Sequence, residues 1–209
     1  MSVKYPGFAG GDRTDIALPA TQQKMLESLK ATGKPVVAVF SGGSALGIEW
    51  AQQHLDGILM AWYPGQRGGE AVANILWGKA NPSGRLPVTF YRSDEKLPDF
   101  SDYSMDNRTY RYFEGKPLYP FGYGLSYSKF DYKKLRLSQT KVAGDDRVKV
   151  RVDVKNTSKR AGHEAIQLYV KPIESARNRA IKDLRGVERV FLQPGETKPL
   201  NSCYSQIVI

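Results

Sequence analysis

Val148, Val150, Val152 and Val154 alternate strictly with charged residues. A period of two is open only to a strand with one face buried and the other in solvent. Ala165 to Val170 is a further strand candidate, and so is Gly186 to Leu192, which runs into the turn signal Gln193-Pro194-Gly195-Glu196. Short strands separated by turns, with no helical period, specify a small antiparallel sandwich.

The first half of the chain follows another rule. Ala20 to Thr32 sets Met25, Leu26 and Leu29 on one helical face and stops at Gly33, after which Pro35 to Phe40 is continuously apolar. The same alternation recurs: a helix over Leu46 to His54, a buried strand over Gly57 to Trp62, and a helix over Gly69 to Trp77 that turns Ala71, Val72, Ile75 and Leu76 inward and ends at Gly78. Leu86 to Tyr91 is the next extended segment. Strands apolar on both faces and alternating with helices belong in a largely parallel sheet. The expected fold class is therefore α/β followed by all-β.

Charge divides at the same place. Residues 1–118 carry 13 Lys and Arg against 12 Asp and Glu, whereas residues 119–209 carry 18 against 9. A basic module is able to meet nucleic acid or an acidic surface. Its cations alternate with apolar residues, however, and no nucleic-acid motif accompanies them, so a solvated strand face is the reading preferred here and no nucleic-acid partner is expected. No run of about 18 apolar residues occurs, so no membrane partner is expected. Residues Met1 to Pro6 lack the apolar block of a secretory signal. The chain as given reads as soluble, its compartment unassigned. A lone Cys203 excludes an internal disulfide framework.

Between the two halves, residues 110–132 hold nine aromatic side chains in 23 positions, spaced by glycine and proline. Neither a long helix nor a regular strand accommodates that composition. The rings, among them Tyr119, Phe121, Tyr123 and Tyr127, are expected to fill irregular backbone between two domains, with a sugar or base platform as the alternative.

Four blocks in order carry a resemblance. Trp62-Tyr63-Pro64-Gly65-Gln66-Arg67-Gly68-Gly69-Glu70-Ala71, Asn81-Pro82-Ser83-Gly84-Arg85-Leu86-Pro87-Val88-Thr89-Phe90, Arg108 to Phe113, and Tyr119-Pro120-Phe121-Gly122-Tyr123-Gly124-Leu125-Ser126-Tyr127 resemble the carboxyl-terminal part of glycoside hydrolase family 3, the β-glucosidases and β-xylosidases. Val154-Lys155-Asn156 and Gly162 to Val170 resemble that family's fibronectin type III-like module. The likeness runs from about Pro6 to Thr197. It implies that residues 1–118, with a 92–118 linker, are part of the family's largely parallel α/β sandwich domain, and that residues 119–209 are the fibronectin-like domain. It also implies β-linked glucose or xylose saccharides as substrates of the intact enzyme. The residues themselves support no metal site, and no cofactor is expected. Such enzymes are often periplasmic or secreted. The segment Pro6 to Arg13 looks more like that of a xylosidase.

A retaining glycosidase needs two carboxyl groups roughly 5 Å apart. In the resembled family the nucleophile is an aspartate of an amino-terminal barrel, which becomes a missing partner here, and the acid is a glutamate shortly before a segment matching Gly11 to Pro19. No glutamate precedes Glu27. No catalytic residue is therefore carried over, and the chain by itself is expected to be inactive on glycosides. After Thr197 the family continues with an alternating strand, which Lys198 to Ile209 matches only loosely. A truncated or frame-shifted gene would account for both ends, and an edge left by a missing last strand makes a homo-oligomer an expectation.

Asp12 with Arg13, and Asp106, Asn107 and Arg108 in a later loop, are the substrate-binding candidates; ordering of their own loops is the rival reading. Arg67 and Glu70 beside a Gly-rich turn are better read as ordering a helix start. Ser44, after a strand and a Gly42-Gly43 turn, with His54 and Asp56 downstream, allows a serine hydrolase. The nucleophile elbow wants glycine two residues on either side of the serine, and Leu46 stands at one of those positions. The plainer alternative has Ser44 capping a helix. A carbohydrate-binding module also stays open.

Overall fold

A computed structural model describes residues 15–94, 97–99, 101–141, 147–172 and 180–205. The chain divides into two compact units. One draws on residues up to Val72, on Val88–Thr109 and on Phe113–Phe121; the other draws on Ala73–Pro87, on Tyr110–Tyr112 and on the chain from Gly122.

In the first unit α1 (Ala20–Lys30) buries Leu26, and β1 (Val37–Phe40) pairs in parallel with β2 (Gly57–Met60), Val37 opposite Gly57 and Phe40 opposite Met60. The helix α2 (Glu49–His54) between the two strands completes a crossover. It begins three residues later than its apolar pattern suggests, because Leu46 and Ile48 are buried in non-helical backbone and Gly47 bridges to Ala17, its amide donating to the Ile16 carbonyl at 2.7 Å. Helix α3 (Gly68–Leu76) ends at Gly78, whose φ of 68° is the left-handed cap conformation that stops a helix. A four-residue turn, α4 (Thr109–Tyr112), follows later. Among the described residues the parallel sheet has two strands.

Leu86 to Tyr91 is not a strand, and its backbone bends at Pro87 and Val88. Pro87 supplies no N–H, and the segment makes separate contacts instead. The Leu86 amide donates to the Tyr123 carbonyl and the Gly122 amide to the Leu86 carbonyl, both at 2.8 Å, while Phe90 forms an isolated bridge to Tyr119.

The second unit is built on antiparallel strands. β3 (Phe130–Leu137), β4 (Arg147–Asn156) and β7 (Thr197–Ser205) form one sheet in the order β3-β4-β7, and β5 (Gly162–Val170) pairs with β6 (Asp183–Leu192) in the other. The valines that alternate in the sequence do face inward: Val154 packs with Val190, Leu192 and Leu200, and Phe130, Val152 and Ile166 close around them. The loosely matching segment after Thr197 corrects the expectation of a missing last strand. It is a nine-residue strand paired with β4 along its length, from Thr197 opposite Lys155 to Ser205 opposite Arg147. Backbone bonding needs no alternating sequence, and Leu200 reaches the core.

The Asn81-Pro82-Ser83-Gly84-Arg85 block belongs to this unit through side-chain bonds. Asn81 Nδ2 donates to Ser128 Oγ (2.8 Å) and to the Ala161 carbonyl (3.0 Å), and its Oδ1 accepts from Ser126 Oγ and the Tyr127 amide, both at 2.9 Å. A Cβ on Gly162 would collide with that amide group. Arg85 Nη2 donates to Glu164 Oε2 at 2.7 Å, and Tyr132 OH donates to Glu164 Oε1 at 2.6 Å. The Arg85 and Glu164 side chains are only 13% and 9% exposed. Burial first, and the bond to Glu164 second, push the Tyr132 phenol above its ordinary range.

The aromatic run has hydroxyl work to do as well. Tyr127 OH donates to the Ile75 carbonyl (2.8 Å) with Arg160 over its ring, and Tyr110 OH accepts from the Leu184 amide (3.1 Å) with its ring edge-on to Tyr169. Tyr119 stands edge-on to Phe90, while Tyr123 and Tyr127 are partly exposed.

Removing one member of a buried pair strands its partner's charge. Glu164→Ala is expected to cost about 3–5 kcal/mol in urea unfolding of the second unit, and Arg85→Met with Glu164→Leu to recover most of that loss. A Glu164→Ala loss below about 0.5 kcal/mol, the range of an ordinary surface change, would contradict the assignment.

Candidate functional site

In a parallel α/β arrangement ligands are met beyond the carboxyl ends of the strands, where loops carry side chains out of a fixed backbone. In the first unit that edge is formed by Ser41 to Ser44 after β1 and by Trp62 and Tyr63 after β2. Ala61 N–H donates to the Phe40 carbonyl at 2.8 Å, and the Trp62 carbonyl accepts from Ser41 Oγ at 2.5 Å and from the Gly42 amide at 3.3 Å. Trp62 has φ 54°, an outlier for a bulky residue. Its ring is edge-on to Phe90 with centroids 6.1 Å apart. Tyr63 is 79% exposed and lies so close over Gly43 that a Cβ there would strike its ring.

Next to Phe90, Tyr91 ties in the loop that holds three of the candidates. Its ring is edge-on to Phe113 at 4.9 Å, and its hydroxyl accepts from the Thr109 amide at 2.8 Å. Burial raises the Tyr91 pKa. Arg108 Nη2 donates to the carbonyls of Pro98 (3.2 Å) and Asp99 (2.6 Å), while its buried Nε has no partner among the described residues. Asn107 Oδ1 accepts from the Glu114 amide at 3.3 Å. Met105, Asn107 and Thr109 all have positive φ. Asp106 is exposed, its amide donating to Ser104 Oγ at 3.3 Å. The structure thus brings Asp106, Asn107 and Arg108 together in one ordered, strained loop. Asp12 and Arg13 lie outside the described residues.

Ser44, His54 and Asp56 have separate surroundings. Ser44 is exposed in a bend. It does not cap α2, whose N-cap residue is Ile48, because the non-helical backbone that buries Leu46 and Ile48 delays the helix. His54 Nδ1–H donates to the Trp50 carbonyl at 2.8 Å, and its ring stacks on Trp50 at 4.6 Å. Asp56 accepts from Lys30 Nζ at 2.7 Å and from the Val36 amide at 2.8 Å, so it joins the end of α1 to the starts of β1 and β2.

Acid chemistry is scarce here. Glu49 is paired with Arg92 and Glu70 with Arg67. The Lys30 bond holds Asp56 below the usual aspartate range, the Ser101 hydroxyl does so for Asp99, and the Ser104 amide for Asp102. A general acid at neutral pH needs the opposite shift. Among the described residues no cluster of three or more His, Cys, Asp or Glu is placed to hold a metal.

Residues 5–127 match the glycosyl hydrolase family 3 C-terminal domain, and residues 164–202 match the fibronectin type III-like domain. The chain belongs to glycoside hydrolase family 3. It is 46% identical, over 96% of its length, to a xylan 1,4-β-xylosidase of Xylanibacter ruminicola, and 39% identical, over 90%, to a periplasmic β-glucosidase of Salmonella typhimurium. It spans 23% and 26% of those proteins. Among solved structures it superposes on 27% of a β-glucosidase from Erythrobacter marinus (TM-score 0.83, 39% identity, 97% of this chain). It also superposes on 30% of β-glucosidase 3B from Thermotoga neapolitana in complex with glucose (TM-score 0.83, 30% identity, 93% of this chain). As a member of family 3 the chain therefore aligns with about the last quarter of its relatives' fold. Among the described residues no helix is long and apolar enough to cross a membrane.

Trp62, Tyr63 and Ser41 join the site only through the structure. Trp62 and Tyr63 open a family motif block, but a left-handed tryptophan has no sequence signature.

The Asp56 carboxylate has a pH signature. A folded-state pKa lowered from the ordinary 3.8 stabilises above the unfolded value and loses that contribution as pH falls through the folded one. Asp56→Asn is expected to lower the urea midpoint of the first unit at neutral pH, with the difference shrinking only once acidification passes below 3.8. A difference independent of pH would contradict the ion pair.

Proposed function

We propose that the chain is the carboxyl-terminal part of a family 3 β-glycosidase, a β-glucosidase or β-xylosidase, and that it supplies one wall of the sugar site and a stabilising module rather than the catalytic carboxyls. In this reading residues 1–118 are a segment of a larger, mostly parallel α/β sandwich domain and residues 119–209 its fibronectin-like neighbour. The substrate is a β-linked glucose or xylose saccharide.

The observation that carries this is the state of the carboxylates: Glu49, Glu70 and Asp56 are spent on Arg92, Arg67 and Lys30. A retaining mechanism needs one free carboxylate at the anomeric carbon and one protonated carboxyl at the leaving oxygen, about 5–5.5 Å apart. Those two groups come from elsewhere in the intact enzyme. Left to this chain are positioning and hydrogen bonds: Tyr63 offers an exposed face for a pyranose, and Asp12, Arg13 and the Asp106 to Arg108 loop offer polar contacts. Similarity to both a β-xylosidase and a β-glucosidase supports the substrate class.

A serine esterase is the second reading. It requires Ser44, His54 and Asp56 to act in line, and the bonds of His54 to the Trp50 carbonyl and of Asp56 to Lys30 and Val36 count against it.

Glycosidases lower their barriers by about 8–23 kcal/mol, and a wall without its carboxyls recovers little of that. The purified chain is expected to turn over neither nitrophenyl β-glucoside, nor β-xyloside, nor nitrophenyl acetate, and to give glycoside hydrolysis only with an amino-terminal fragment of a family 3 enzyme that carries both the barrel aspartate and the acid glutamate added in trans. Glycoside turnover by the chain alone that falls on Glu49→Gln, Glu70→Gln or Asp106→Asn would overturn the reading. Ester turnover lost on Ser44→Ala would favour the second.

A further inference from the structure

The outer face of the β3-β4-β7 sheet is unevenly charged. At one end of the β3–β4 ladder opposite charges stand across from one another, Asp131 opposite Lys155 and Lys133 opposite Asp153. The acids there also have lysine partners on β3, Lys133 Nζ at 3.9 Å from Asp131 and Lys134 Nζ at 3.4 Å from Asp153. At the other end Arg136 stands directly opposite Arg151. Lys149 follows two residues along β4, about 6.8 Å further on the same face. All three are exposed, and none forms an ion pair among the described residues.

A bulge creates this arrangement. The register shifts between Lys133 and Arg136, where Lys134 takes φ 55°, and the extra residue turns Arg136 to the outer face, against Arg151. Like charges directly opposite one another destabilise a sheet. The chain thus keeps at one end a repulsion that it avoids a few residues away.

We infer that Arg136, Arg151 and Lys149 form a docking strip for a linear polysaccharide that bears carboxylates, a uronate polymer, distinct from any site at the strand ends of the first unit. Two guanidinium forks side by side suit carboxylates, which they bind with paired hydrogen bonds. On β7 the outward residue beside Arg151 is Asn201, which provides no ring for a base to stack on and so disfavours single-stranded nucleic acid. The choice of a polysaccharide rests on the glycosidase reading above. The strip itself does not, and it is tested by binding rather than hydrolysis, so either can fail without the other. Arg147, which follows Asp145 and Asp146 outside the described residues, is left out of the strip.

Affinity electrophoresis and titration of the whole chain against polygalacturonate test it, with neutral β-glucan, phosphatidylserine vesicles and short duplex DNA as comparisons. The expected result is retention by polygalacturonate at low salt, weakened about tenfold or more at physiological salt, and no retention by the neutral glucan. Arg136→Ser with Arg151→Ser is expected to weaken binding about tenfold, and Lys149→Ser, a single exposed change that leaves folding alone, to act in the same direction. Lys133→Ser with Lys155→Ser removes equal charge at the balanced end and is expected to change binding about twofold or less. Absence of retention at low salt would overturn the proposal. So would equal losses in the two double variants, which would mean net charge alone, or duplex DNA or vesicles bound as tightly as polygalacturonate.

Discussion

Everything arranged around β5 depends on one buried ion pair. Arg85 and Glu164 lie 79 residues apart in sequence and meet at 2.7 Å, with Tyr132 of β3 closing the second carboxylate oxygen. Removing two such charges from water costs several kcal/mol per ion, which attraction returns only when geometry is good and the remaining oxygens are bonded. Here they are. The pair adds little net stability by that balance, but it admits one arrangement: the Asn81 to Arg85 turn has to sit where Arg85 reaches Glu164. Asn81 then finds Ser126, Tyr127, Ser128 and Ala161, and Gly162 is small enough to let its amide in.

That constraint explains the density of rings between residues 110 and 132. An irregular backbone leaves polar groups without the partners a helix or ladder provides. Tyrosine fills apolar space with its ring and bonds with its hydroxyl. Tyr110, Tyr127 and Tyr132 each do so, toward Leu184, Ile75 and Glu164. In the first unit Tyr91 plays the same part for the loop of Asp106, Asn107 and Arg108, whose strained backbone it anchors at Thr109. Arg108 holds the carbonyls of Pro98 and Asp99, so a residue picked out as a ligand contact is at least also a loop brace.

Much of this was legible in the chain. The period of two from Val148 to Val154 predicts a half-buried strand, and the apolar runs at Pro35–Phe40 and Gly57–Trp62 predict parallel partners, because each pattern admits one environment. What lay hidden were events with no local signature. The strand after Thr197 is assembled by backbone bonds to β4 in spite of its loose pattern, and the delayed start of α2 is dictated by the burial of Leu46 and Ile48. Leu86 to Tyr91, expected as one extended segment, bends at Pro87 and Val88 and makes separate contacts. At the candidate site Arg108 opens a motif block while Asp106 and Asn107 lie outside one, and the pairing of Glu49 with Arg92 and of Asp56 with Lys30, each across more than 20 positions, had no local signal. Arg136 facing Arg151 was equally unreadable, since a single bulge residue decides which face it takes.

The central claim, that the Asn81 to Arg85 turn folds as one piece with β5 and β6, is tested most directly by native-state hydrogen exchange. If the buried bonds act together, the Leu86, Gly122 and Tyr127 amides, which donate to Tyr123, Leu86 and Asn81, will open with the same free energy and denaturant dependence as the ladder amides of β5 and β6. Amides at those three positions that exchange by small, denaturant-independent fluctuations while the ladder stays protected would contradict it.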